Sequence, residues 1–154
     1  MEIILAENHG FCYGVKRAVE MANEAAEGKG KSYTLGPIIH NPQVVGRLES
    51  KGVSPIQEVA DIDEGTMIIR SHGVGPAIYA EAEEKGLHIL DATCPHVKKA
   101  QQDAKSVIED GMTLVILGEK NHPEVKSINL WANNKGIIIE DEESAEKLQI
   151  VEKM

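Results

Sequence analysis

The chain has 154 residues, 42% of them hydrophobic and 27% charged, with a formal net charge of −9. That length and apolar content support a real core in one domain or two small lobes and exclude an intrinsically disordered chain. The acidic balance excludes the broad basic surface that nucleic acid or an anionic membrane requires, and no apolar run approaches the ~20 residues of a membrane span.

Strand-like runs fall at 2–5, 32–35, 66–70, 87–90, 113–117 and 136–140, and helical patterns at 15–27, 42–51, 76–85, 95–110, 123–131 and 144–148. Strands alternating with helices predict an α/β fold on parallel sheet. The first run begins almost at the first residue, so the chain is expected to be cytoplasmic. In the fourth helix, Val97, Ala100, Ala104, Val107 and Ile108 recur at three- and four-residue steps, which gives it one core face.

Four of the six prolines, Pro42, Pro76, Pro95 and Pro123, stand where a helix should begin. Proline suits that position because the first helical N–H has no partner to lose. Beside each proline is a group capable of chemistry: His40, His72, Cys94, and His122 with Glu124. The other cysteine, Cys12 in Gly10-Phe11-Cys12-Tyr13-Gly14, also precedes a helix. Ligands of parallel sheets bind beyond the carboxyl ends of the strands, so all these groups should face one rim.

Each signal has a plainer reading. A single cysteine is often a small buried hydrophobe, and a histidine at a helix start often only caps it. An acidic residue in a first turn, such as Glu124, complements the helix dipole, although at a rim it could also donate protons. Taken together, two cysteines at helix entrances favour thiolates or a metal site. Three histidines at equivalent turns favour a phosphate or diphosphate. Two cysteines are too few for a zinc site unless two histidines complete it.

The set resembles the 4-hydroxy-3-methylbut-2-enyl diphosphate reductases, the LytB family. The resemblance rests on Gly10-Phe11-Cys12-Tyr13-Gly14-Val15, the stretch from Tyr33 to Val45 with Gly36-Pro37-Ile38-Ile39-His40-Asn41-Pro42, Arg70-Ser71-His72-Gly73-Val74, Asp91-Ala92-Thr93-Cys94-Pro95 and His122-Pro123-Glu124-Val125. It implies an oxidoreductase of non-mevalonate isoprenoid biosynthesis. A 4Fe-4S cluster held by three cysteines, with one iron open to the substrate hydroxyl, takes electrons from ferredoxin or flavodoxin and removes that hydroxyl as water. The products are isopentenyl and dimethylallyl diphosphate. Carried onto this sequence, Cys12 and Cys94 look like two cluster ligands, His40, His72 and His122 like the histidines that bind the allylic diphosphate, and Glu124 like the carboxylate that passes protons.

The family pattern also implies three α/β lobes, of which this chain would hold a first at 1–94 and part of a second at 95–154. It is therefore expected to be the N-terminal portion of such a reductase, with the third cysteine, a threonine near the proton path and a serine–asparagine pair lying in the remainder. The alternatives are a non-catalytic truncated module that binds phosphates, and a structural zinc domain using Cys12, Cys94 and two histidines.

Overall fold

A computed structural model of the chain describes residues 2–7, 9–28 and 30–148. Four parallel strands, β1 (Ser32–Leu35), β2 (Val53–Ile56), β3 (Thr66–Ile69) and β4 (His88–Asp91), form one sheet in the order β2-β1-β3-β4. Helices α1 (Tyr13–Glu27), α2 (Pro42–Ser50) and α3 (Pro76–Glu84) cover its faces. Parallel strands need such crossovers, and a sheet covered on both sides can be apolar throughout. β3 shows this residue by residue. Ile68 packs with Ala18, Ala22, Val44 and Leu48 of α1 and α2, whereas Met67 and Ile69 pack with Val59, Val74 and Ala82 on the opposite face.

Helix α4 (Pro95–Glu109) leads into a smaller parallel pair, β5 (Val115–Leu117) and β6 (Ile137–Ile139), connected through α5 (Pro123–Trp131) and followed by α6 (Glu142–Glu146). Helices α4 and α5 join the two sheets. The amide of Gln101 approaches the Ser127 hydroxyl at 3.3 Å, and the Trp131 indole N–H donates to the Val74 carbonyl at 2.9 Å. None of the described helices is long and apolar enough to cross a membrane.

Three features differ from the sequence expectation. The run 2–5 forms no strand: Ile3, Ile4 and Leu5 are 74–84% exposed. Extended backbone needs a neighbouring strand to satisfy its amides, and no strand of either sheet pairs with this run. Conversely, β2 lies where no strand is expected, because Pro55 breaks the pattern. β2 is an edge strand, the place where a missing N–H is tolerated. Finally, α6 starts earlier than 144. Asp141 caps it, its carboxylate accepting from the Ser144 amide at 2.7 Å, so Ser144 lies inside the first turn.

Candidate functional site: an imidazole rim beside two helix-entry thiols

From β1 the chain passes through α2 outward to β2, then crosses to β3 on the other side of β1. Strand order reverses there, and the loops leaving β1 and β3 part to open a crevice. His40 is on the first loop and His72 on the second. The loops are stitched together by Ser71, whose amide and hydroxyl each approach the Ile38 carbonyl at 3.3 Å. His122, at the N-cap of α5, closes the group from the smaller sheet. Ring centroids lie 4.5 Å apart for His40 and His72, 5.6 Å for His40 and His122, and 5.5 Å for His72 and His122.

The electrostatics favour an anion. Burial, then the neighbouring His40, Arg70 and His122, push the His72 pKa down to about 4, so near neutral pH this ring is uncharged and offers one N–H. The Nδ1 of His122 accepts from the Glu124 amide at 3.2 Å, which leaves Nε2 as its donor. Helices α2 and α5 begin at Asn41 and His122, and their dipoles add positive potential at the rim. The three imidazoles also place one nitrogen each within 4.8 Å of one another, close enough that a metal could draw them together. Neither cysteine belongs to that group. The zinc arrangement that pairs Cys12 and Cys94 with two histidines therefore does not find its four ligands gathered.

Cys12 and Cys94 are the N-cap residues of α1 and α4, and neither side chain makes a capping bond. Both are free thiols, Cys12 exposed and Cys94 partly buried. The first turn of α1 comes against Cys94 at Gly14, where a Cβ would lie 2.5 Å from the Cys94 Sγ. Only a residue without a side chain lets the two helix entrances meet. Free sulfurs at two adjoining positive helix ends suit thiolate ligation of a metal cluster, as far as two ligands go. The Cys94 amide donates to the Ser71 carbonyl at 2.9 Å. One hydrogen bond thus links the thiol loop to the residue before His72.

Glu124 lies in the first turn of α5, partly buried, its backbone amide engaged with His122. Ser127, one turn on, is 2% exposed, and its hydroxyl lies 2.7 Å from the His72 carbonyl and 2.9 Å from that of Glu124. It ties the histidine loop to α5, and sequence reasoning does not single it out. The available signal is a small polar residue three positions after Glu124 and four before Trp131, on one face of the helix. Gly14 is legible in the sequence only as a glycine flanking Cys12 ahead of the helix expected at 15–27; the structure starts α1 at Tyr13 and so puts Gly14 in its first turn.

The fold and this rim define a parallel α/β protein with three clustered imidazoles at its switch point and two free thiols at neighbouring helix entrances. The family model described as "LytB protein" matches residues 3–154, and the chain belongs to that family. It is 50% identical over 154 residues to the 4-hydroxy-3-methylbut-2-enyl diphosphate reductase of Geobacter metallireducens, covering all of this chain and 55% of the relative. It is 52% identical over 148 residues to that of Geotalea daltonii, covering 96% and 52%. A solved structure of (E)-4-hydroxy-3-methyl-but-2-enyl diphosphate reductase superposes with a TM-score of 0.81 at 47% identity, over 94% of this chain and 53% of that one. The E-1-hydroxy-2-methyl-but-2-enyl-4-diphosphate reductase from Plasmodium falciparum superposes with a TM-score of 0.89 at 32% identity, over 94% and 46%. The chain thus spans about half the length of the curated relatives it matches.

Proposed function

We propose that this chain supplies the diphosphate-binding rim and two cluster thiolates of a 4-hydroxy-3-methylbut-2-enyl diphosphate reductase. The observation that carries the reading is the join between its two halves. The imidazoles of His40, His72 and His122 form one group, and the Ser71–Cys94 hydrogen bond fixes that group to the thiol-bearing loop. A substrate with its diphosphate on the imidazole N–H groups would turn its hydroxyl end toward Cys12 and Cys94.

In this reading His40, His72 and His122 bind and orient, and Glu124 holds a proton for the departing hydroxyl. The reaction balances with two electrons and two protons. The allylic C–O bond breaks, one proton leaves with the oxygen as water, and the other goes to carbon to give isopentenyl or dimethylallyl diphosphate. A 4Fe-4S cluster on Cys12 and Cys94 would supply the electrons singly, received from ferredoxin or flavodoxin, and an open Lewis-acidic iron. Its third ligand would come from outside these 154 residues, which hold two cysteines. The lobes would divide at 94, the protein would be cytoplasmic, and the net charge of −9 leaves no broad basic surface for a nucleic-acid or anionic-membrane partner.

Anaerobic loading with iron and sulfide tests this. With a small thiol present to fill the third ligand position, iron and acid-labile sulfide should be held by the protein and lost in both Cys12→Ser and Cys94→Ser; retention in both variants would contradict the ligand assignment. The cysteine count favours one second reading, a phosphate-binding module without a cluster, since such clusters usually take three or four cysteines. Diphosphate binding by protein that retains no iron would favour it.

A further inference from the structure

Arg70 follows β3 directly and has no carboxylate or carbonyl partner among the described residues; its Nε is buried with nothing to bond. Burial lowers its pKa. A partly desolvated guanidinium without a counter-charge is costly and asks for an explanation, such as an ion that completes it. The backbone makes room for it. Gly36 takes a φ of +69°, and a Cβ there would stand 2.6 Å from an Arg70 Nη1. Both the left-handed turn and the close approach require glycine.

Arg70 lines a cavity of about 280 Å³ between the end of β1 and the flank of α5, with Gly36, Gln57, Val74, Lys126 and Leu130. Lys126 forms no ion pair among the described residues. The chain carries 25 acidic residues against 16 basic ones, yet no carboxylate lines this cavity. Two cations without an acid match a doubly charged group better than a carboxylate, and a planar guanidinium fork matches phosphate oxygens in pairs. We propose that the Arg70–Lys126 cleft is a second anion site, separate from the imidazole rim, that takes the phosphate group of a small phosphorylated molecule. Glycine at 36 and the glutamine amide at 57 give the phosphate a close floor and a polar wall.

Titration of the protein with inorganic phosphate, followed by NMR, reads both sites at once. The amides of Gly36 and Gln57 report the cleft, and the ring resonances of His40, His72 and His122 report the rim. Both sets should shift, with different midpoints. Arg70→Met should weaken the cleft midpoint about tenfold or more, the effect of losing a charged hydrogen bond. Lys126→Met, at an exposed position on α5, should weaken it without endangering the fold and should leave the ring midpoint within about twofold. Cleft amides that do not move, or that titrate in Lys126→Met as in wild type, would overturn the proposal. Failure of the rings to respond would count against the diphosphate rim and leave the cleft standing.

Discussion

At His72, burial first and then the fields of His40, Arg70 and His122 lower the pKa from 6.5 to about 4. Between those values the unfolded chain takes up a proton that the native state refuses. Native stability therefore falls as pH drops from about 6.5 toward 4, and the contribution levels off below that. Urea midpoints measured across this window should decline more steeply for wild type than for His72→Asn; parallel profiles would mean that the ring titrates normally. A second residue-scale consequence concerns Gly14. A methyl group placed 2.5 Å from the Cys94 Sγ must push the two helix entrances apart. Metal-free Gly14→Ala should lose on the order of 1–3 kcal/mol in denaturant unfolding, the range for overpacking a tight contact. The histidines themselves were legible because each sits beside a proline that announces a helix. Arg70 and Ser127 were not, since their importance comes from what the tertiary fold buries around them.

Helix starts are the elements that aim this site. The Asn41 side chain accepts from the Val44 amide at 3.0 Å and so fixes the first turn of α2 directly after His40. Asn41→Ala should cost about 1 kcal/mol in unfolding and weaken diphosphate binding through looser placement of His40. Calorimetry on the variant checks both; unchanged affinity alongside lost stability would separate the cap from the site. Helices α2, α3, α4 and α5 begin at the four prolines that mark them in the sequence, because proline at a first turn is a local signal that packing does not override. Strands were read less well for the opposite reason. β2 is a strand by virtue of its pairing with β1, despite Pro55, whereas Ile3-Ile4-Leu5 has the composition of a strand and, among the described residues, no strand paired with it.

Across the whole molecule, the order β2-β1-β3-β4 creates the crevice, and α5 carries His122 to it from a second sheet. Periodicity pointed to parallel α/β architecture, but not to which strands flank the reversal, because that order is a long-range property. The imidazole cluster therefore depends on both sheets holding their relation through Ser127, Gln101 and Trp131, and disturbing that junction should scatter the three rings while each sheet stays folded. The central claim is that these rings jointly bind a diphosphate. Its most direct test is calorimetric titration of 4-hydroxy-3-methylbut-2-enyl diphosphate into the metal-free protein and into His40→Ala, His72→Ala and His122→Ala. Binding at the rim that weakens about tenfold or more in each variant is the result expected; wild-type affinity in all three would contradict it.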